Sequence, residues 1–155
     1  PTTFYARPTV AKTVSLYAKQ VEAKAISIHN NIPDGTSVFV DPDHFDYVMR
    51  NLISNAIKFT PRHGGIALTV SNEPIDDLIT FSITDTGKGI SSEEQKAFME
   101  GNGSMKVSYG TDGEKGTGLG LMLAKEFITS NNGKIWCASQ EGKGTTFFIS
   151  LPKAG

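Results

Sequence analysis

The sequence lacks several features that would narrow its class at once. Its single cysteine, Cys137, excludes an internal disulfide bond, which fits a reducing compartment without proving one. Fifteen basic against 16 acidic residues give a formal charge of −1, so no basic excess indicates nucleic acid or an anionic membrane as a partner. No apolar run approaches the roughly 20 residues of a membrane span. The first residues also lack the apolar centre of a signal peptide.

The length and composition are those of one compact domain. The chain has 155 residues, of which 38% are hydrophobic and 20% charged, enough to bury a core. It begins without methionine and ends in KAG, so we expect residues 1–155 to be a single domain excised from a larger protein. Nine of its 16 glycines fall between Gly87 and Gly120. Glycine allows close backbone approach to a ligand, so this cluster predicts a phosphate cradle with a mobile flap.

Apolar periodicity and capping signals predict alternating helices and strands. Helices are predicted at 8–24, 42–59, 91–99 and about 117–131, the last with Leu119, Leu123, Phe127 and Ile128 facing inward. Strands are predicted at 25–30, 36–40, 66–72, 78–85, 134–139 and 144–151, and the third and fourth of these form a hairpin. Residues 100–115 show little periodicity and are predicted to form a long loop. This mixture favours a two-layer α/β sandwich of the α+β class.

Asp85 opens the first of three segments that carry chemistry, DTGKGI at 85–90. By the two-residue period of a strand, it shares a face with the apolar side chains of Phe81 and Ile83. A buried carboxylate needs a partner, and an exocyclic amino group of adenine would be one. Alternatively, Asp85 only caps the turn that follows, and the local pattern alone does not separate the two interpretations.

The second segment, NLISNAIKFT at 51–60, places Asn51, Asn55 and Lys58 close to one helical face. An amide oxygen can complete a magnesium shell, and a lysine can neutralise phosphate. The alternative is a solvated polar face.

The third segment, GTGLGL at 116–121, exposes backbone N–H groups at a helix start, which is an anion site or simply a flexible loop. It lacks the last glycine of a dinucleotide fingerprint, and the chain contains no Walker A sequence.

The three segments in this order resemble the ATP-binding catalytic domain of bacterial sensor histidine kinases, within the wider gyrase, heat-shock chaperone, histidine kinase and MutL superfamily. NLISNAIKFT resembles the N box, DTGKGI the first glycine box and GEKGTGLGL the second; Phe98 resembles the shorter F box. The likeness extends from about residue 8 to 152. It implies a Bergerat-type fold, in which a mixed sheet packs on three helices and ATP lies between helix 42–59 and a lid at about 100–115.

The resemblance also implies a set of site residues. Asn55 would hold Mg²⁺, Asn51 and Lys58 would act at the phosphates, Asp85 would accept from the adenine amino group, and Thr145 would approach the adenine end. The remaining ATP-binding positions implied are Phe59, Gly87, Gly89, Ile90, Lys106, Tyr109, Lys115, Gly116, Thr117, Gly118, Leu119, Gly120 and Leu121. Many lids of the family carry an arginine near the phosphates, whereas residues 91–115 here contain only lysines as cations.

Asn51 discriminates among the functions of the superfamily. ATP-hydrolysing relatives typically carry a glutamate there as general base, and an asparagine cannot take up a proton in that role. The resemblance therefore favours transfer of the γ-phosphate to a histidine, with a degenerate regulatory module or an ATPase switch as alternatives. The implied partners are a separate phosphoacceptor and dimerisation hairpin domain and a downstream response regulator, with no nucleic acid or membrane contact. We expect a cytoplasmic domain, inactive alone in autophosphorylation, in a parent that can be anchored in the inner membrane. His29 ends a strand segment, which disfavours it as the phosphoacceptor.

Overall fold

The computed structural model describes residues 1–71, 77–100 and 119–154. Its strands are β1 (Thr2–Tyr5), β2 (Ser27–Asn30), β3 (Ser37–Val40), β4 (Gly65–Ser71), β5 (Leu78–Asp85), β6 (Lys134–Gln140) and β7 (Gly144–Pro152). Its helices are α1 (Ala6–Leu16), α2 (Ala18–Ala23), α3 (Pro42–Phe59), α4 (Ser92–Glu100) and α5 (Leu119–Ser130). Of the loop predicted at 100–115, Glu100 is instead the last residue of α4, and residues 101–115 lie outside the described residues.

The main sheet has five strands in the order β2-β4-β5-β7-β6. β2 pairs with β4 in parallel, and the other three pairs are antiparallel, so the sheet is mixed. One face of the sheet carries the apolar side chains of alternate positions and packs under α1, α3 and α5. The predicted two-layer sandwich of a mixed sheet and three main helices is confirmed, with the short α4 packed against β6.

Helix α3 supplies much of the core and begins as its sequence predicts. Asp41 is the N-cap, since its Oδ1 accepts from the backbone N–H groups of Asp43 (2.9 Å) and His44 (3.2 Å), and Pro42 is the first helical residue. Its buried side chains recur at the spacing of one helical face: Phe45, Val48, Met49, Leu52, Ile53, Ala56 and Ile57. The opposite face is thereby left to the polar residues of the N-box segment.

Helix α5 runs antiparallel to α3. At its start, a Cβ on Gly120 would overlap the side-chain amide of Asn51. At its end, Asn131 accepts from the backbone N–H of Asp41 (2.9 Å) and contacts the His44 ring nitrogen Nδ1 at 3.0 Å. The position of the α5 start relative to the polar face of α3 is therefore fixed from both ends.

Several sequence-based expectations were wrong in detail. The helix predicted over 8–24 is broken at Tyr17, whose ψ of 15° departs from helical geometry, into α1 and α2. The N-terminal strand β1, which pairs with β3, was not predicted, because it has no clear local signal. In α5 the buried residues are Leu121, Ala124 and Ile128, whereas Leu123 is 37% exposed rather than inward.

No helix within the described ranges has both the length and the apolar character that a membrane crossing requires. On β6, Cys137 is buried in the core, whereas Trp136 stacks on Phe148 on the other face of the sheet, with ring centroids 5.3 Å apart.

Candidate nucleotide site

A cavity lies between the C-terminal half of α3, the ends of β5 and β7, and the start of α5. Its lining brings together residues that are far apart in the sequence: Asn55, Ala56, Phe59, Asp85, Gly89, Ile90, Leu121, Thr145 and Phe147. Seven of these were predicted as site residues from the sequence. Ala56 and Phe147, which are apolar, complete its floor.

Asp85 ends β5 with its side chain on the helix-covered face, and only 7% of the residue is exposed. Its Oδ1 accepts two backbone hydrogen bonds, from the N–H of Gly87 (2.8 Å) and from the N–H of Thr145 (3.3 Å). The capping role considered as an alternative is therefore real, but it occupies only one carboxylate oxygen. Within the described residues Oδ2 takes no hydrogen bond, and Asp85 lines the cavity.

The protonation equilibrium of Asp85 reflects this position. Burial raises the pKa of the carboxyl above its ordinary value, and the hydrogen bonds from the Gly87 and Thr145 N–H groups partly oppose that rise. A carboxylate that is buried, oriented by backbone donors and open on one oxygen is suited to accept a hydrogen bond from a ligand N–H.

Two glycines next to Asp85 are required by close backbone packing. A Cβ on Gly87 would lie 2.7 Å from Asp85 Oδ1 and would also overlap the carbonyl of Phe59. Gly89 has φ of 73°, in the left-handed region, and a Cβ there would overlap the Gln140 carbonyl. These glycines let the loop after β5 fold tightly around the carboxylate.

Asn51 and Asn55 lie one turn apart on the polar face of α3. The amide nitrogen of Asn55 donates to Oδ1 of Asn51 over a long 3.4 Å, which leaves the oxygen of Asn55 available at the cavity. A neutral amide oxygen is a ligand that Mg²⁺ accepts beside waters and phosphate oxygens. The donor chemistry of Asn55 therefore fits the metal that the sequence predicts there.

Phe59, at the end of α3, lies under two ammonium groups. Lys58 Nζ is 4.7 Å and Lys88 Nζ is 4.8 Å from the centroid of its ring. Lys58 was predicted as a phosphate contact, whereas Lys88, in the middle of DTGKGI, was not among the predicted site residues. The two lysines concentrate positive charge on the side of the cavity where α3 ends.

Lys24 stabilises the end of α3, and no local sequence pattern predicted this role. It is 4% exposed, and its Nζ donates to the carbonyl oxygens of Ile57 (2.9 Å), Lys58 (3.0 Å) and Thr60 (3.2 Å). These carbonyls belong to the last turn of α3 and the residue after it, where helical partners are missing. A buried lysine thus caps the helix that carries Asn51, Asn55 and Lys58.

Ser139 and Gln95 support the other end and were likewise not singled out. Ser139 Oγ accepts from the backbone N–H of Ile90 (2.8 Å) and lies 2.8 Å from the Thr145 hydroxyl. The side chain of Gln95 holds both backbone groups of Ser139, donating to its carbonyl (3.0 Å) and accepting from its N–H (3.2 Å). The partners are 44 residues apart in the sequence, so only the folded chain shows the contact.

Part of the predicted site cannot be placed. Lys106, Tyr109, Lys115, Gly116, Thr117 and Gly118 lie outside the described residues, and of Leu119 only the backbone, as the first residue of α5, is described. Within the described part, Leu121 lines the cavity and Gly120 packs on Asn51. The start of α5 therefore faces the polar side of α3, as an anion-binding helix terminus would require.

A mixed sheet under three helices, with a buried aspartate and a polar helix face around one cavity, defines a class of nucleotide-binding α/β sandwich. Residues 40–155 match the family of histidine kinase-, DNA gyrase B- and HSP90-like ATPases. The chain belongs to this family, and the predicted relationship to the catalytic domains of sensor histidine kinases is confirmed by its relatives.

The relatives in sequence are sensor kinases. The chain is 40% identical over 133 residues to the sensor protein EvgS of Escherichia coli O157:H7, covering 83% of this chain and 11% of that protein. It is 34% identical over 142 residues to the adaptive-response sensory kinase SasA of a Synechocystis strain, covering 91% of this chain and 36% of that one. The chain thus spans about a tenth to a third of the length of these relatives.

Solved structures show the same fold. The catalytic domain of histidine kinase ThkA superposes with a TM-score of 0.80 at 25% identity, covering 98% of this chain and 95% of that one. Full-length ShkA in complex with AMPPNP superposes with a TM-score of 0.76 at 24% identity over 98% of this chain and 31% of that chain.

Proposed function

We propose that this domain binds Mg-ATP in the cavity between α3 and the sheet and presents the γ-phosphate to a histidine on a separate hairpin domain of its parent protein. That histidine would then supply a response regulator. Support for the fold and the family comes from the kinase relatives described above. Support for the ligand comes from the residues of the cavity, and the observation that carries it is Asp85.

The Asp85 carboxylate has one oxygen bound by two backbone N–H groups, its other oxygen takes no hydrogen bond within the described residues, and Asp85 lines an otherwise largely apolar pocket. Such a group costs free energy unless a ligand pairs with it. Adenine offers an exocyclic N–H donor on a flat apolar ring, so it satisfies the carboxylate and the apolar lining together.

At the other end of the cavity, the chain offers oxygen and cationic groups suited to a triphosphate. Asn55 would hold Mg²⁺ through its free amide oxygen, and Lys58, with Lys88 nearby, would offset phosphate charge. When bound, Mg²⁺ neutralises charge on the phosphates and orients them for in-line attack. The work of this chain is positioning and charge compensation.

The acceptor class follows from Asn51. Its Oδ1 accepts from Asn55, and an amide cannot remove a proton from water or from a hydroxyl group. A neutral imidazole needs no such help, because it already carries a nucleophilic lone pair. Transfer to histidine therefore suits this site better than hydrolysis or transfer to serine, and we expect very slow ATP hydrolysis by the isolated chain.

Calorimetric titration of ATP with and without Mg²⁺ tests the site. The wild-type chain should bind ATP more tightly with the metal, and Asn55→Ala should remove most of that metal effect, a loss of roughly tenfold. Asn31→Ala, at an exposed asparagine just beyond β2, is the matched control and should bind as the wild type does.

Phosphotransfer is tested by adding the hairpin domain of the parent protein to the chain with labelled ATP. Label should appear on the hairpin and stay absent from the chain alone. Binding of ATP without transfer to that hairpin would favour a regulatory module, and steady hydrolysis by the chain would favour an ATPase switch. Absence of binding by the wild-type chain would overturn the proposal as a whole.

A further inference from the structure

We propose that Ser139 is a positioning residue that fixes the direction of the Thr145 hydroxyl and thereby makes the base pocket prefer a 6-amino purine over a 6-oxo purine. This inference rests on the proposed function, because it concerns the base of the nucleotide bound there. Neither Ser139 nor its support, Gln95, lines the cavity itself.

The hydrogen bonds of the Ser139 hydroxyl group determine the direction of the Thr145 hydroxyl. Ser139 Oγ has one proton and two lone pairs. The N–H of Ile90 donates to it at 2.8 Å, which uses one lone pair. We assign its proton to the carbonyl oxygen of Gly144 at 3.0 Å, because that oxygen can only accept whereas the Thr145 hydroxyl can also donate. Only the second lone pair is then left for the hydroxyl of Thr145 at 2.8 Å.

Thr145 must therefore be the donor in its contact with Ser139. Its only hydroxyl proton is committed, so the Thr145 oxygen can offer nothing but lone pairs to a ligand in the cavity that it lines. The backbone N–H of Thr145 also donates to Asp85 at 3.3 Å, which keeps this oxygen in the neighbourhood of the carboxylate. The base end of the pocket thus presents two acceptors, Asp85 Oδ2 and Thr145 Oγ1.

Two acceptors match an amino group and oppose a carbonyl group. The exocyclic amine at position 6 of adenine has two N–H donors. A 6-oxo purine places an oxygen there and has one adjacent donor, its N1–H, so it can pair with one of the acceptors while its oxygen faces the other. An unpaired and repelled polar group in such a pocket is costly, which is the basis for strong discrimination by buried hydrogen-bonding sites. Without Ser139, the Thr145 hydroxyl could turn and donate to a 6-oxo group.

The geometry of Ser139 is itself restrained by α4. Gln95 pairs with both its backbone N–H and its carbonyl, a two-point contact that fixes the end of the edge strand β6 against the helix. Ser139 therefore meets Ile90 and Thr145 from a held backbone, so its hydroxyl has little freedom to exchange partners.

The test compares the affinities of ATP and ITP, which differ in the base only around position 6, by calorimetry on the 155-residue chain. The wild type should prefer ATP, and Ser139→Ala should reduce the ATP-to-ITP affinity ratio about tenfold. Ser139→Thr, which keeps the hydroxyl, should restore the ratio. Thr146→Ala is the matched control, because that hydroxyl pairs with Thr84 on the opposite face of the sheet at 3.0 Å.

A double-mutant cycle separates positioning from general weakening. If Ser139 acts through Thr145, then Ser139→Ala should leave the affinity ratio unchanged in a Thr145→Val background. Should the alanine variant fail to fold, Ser139→Cys keeps nearly the same volume with a much weaker donor and should also lower the ratio.

The measurements distinguish failure of the inference on Ser139 from failure of the proposed function. If the wild type binds ATP and Ser139→Ala weakens ATP and ITP equally, the inference on Ser139 is overturned while the proposed function stands. A ratio that falls to the same extent with and without the Thr145 hydroxyl would also overturn it. A wild-type chain that binds neither nucleotide would overturn the proposed function, and this assignment with it.

Discussion

The base end and the phosphate end of the candidate site are built differently. At the base end, Asp85, Thr145, Ser139 and Gln95 form a continuous series of hydrogen bonds between four separate elements. At the phosphate end, the two asparagines are joined by a single long hydrogen bond, 3.4 Å, within one helix. A base is recognised by fixed donors and acceptors, whereas a metal and phosphates bring their own charge and water, so rigidity is concentrated where the ligand cannot adapt.

Asp85→Asn should have the largest effect, because it removes the acceptor that defines the base end. An amide at this position can still accept from Gly87, but its nitrogen would face the adenine amino group with a donor instead of an acceptor. We expect ATP affinity to fall by at least about a hundredfold, measured by calorimetry. Asp34→Asn, at an exposed carboxylate, should bind as the wild type does.

The Tm of Asp85→Asn, compared with that of the wild type over a range of pH, tests the burial of the carboxyl independently of nucleotide binding. Because burial raises the folded-state pKa of Asp85 above its ordinary 3.8, the folded state holds the proton more tightly than the unfolded state. The stability of the wild type therefore falls as pH rises from about that ordinary value through the raised one. At neutral pH the Asn variant should have the higher Tm, and this advantage should vanish in acid below the ordinary pKa. A Tm difference in favour of the Asn variant that grows as the pH falls would contradict a raised pKa of Asp85.

At both ends the sequence predicted what local patterns encode and missed what distant contacts create. Helix α3, with its Asp41 cap and buried face, and the hairpin of β4 and β5 are encoded by local patterns, and so are Asn55 and Asp85. The parallel pairing of β2 with β4 and the contact of Gln95 with Ser139 depend on residues that meet only after folding. Ser139 and Lys24 look like ordinary polar residues in the sequence because their partners are backbone groups of distant segments.

Lys24→Met tests whether the phosphate end depends on support from behind. Methionine fills a similar volume but leaves the carbonyls of Ile57, Lys58 and Thr60 without their shared donor. We expect a loss of about 2 kcal/mol in the free energy of unfolding, measured with urea. ATP affinity should also fall, because the turn that loosens carries Lys58 and Phe59.

Lys19→Met, at an exposed lysine of α2, is the matched control and should be close to neutral in both assays. With Lys24→Met, the preference for ATP over ITP should be retained even though overall affinity falls, because the hydrogen bonds that join Asp85, Thr145 and Ser139 do not involve Lys24. Loss of that preference would mean that the two ends are not independent.

Gly120→Ala should have the smallest effect and act on the phosphate end alone. A Cβ at this position would overlap the amide of Asn51, which is a flexible side-chain end, so the amide can move away at little cost in stability. Alanine is also the better helix former, so the unfolding free energy should stay equal or rise by up to about 0.5 kcal/mol. Because Asn51 is the partner of Asn55, its displacement should weaken binding of Mg-ATP roughly threefold and leave metal-free binding nearly unchanged. Gly35→Ala, where a Cβ would meet no atom within 4 Å, controls for the glycine exchange itself. An equal loss with and without Mg²⁺ would place Gly120 in contact with the nucleotide instead of behind the metal ligand.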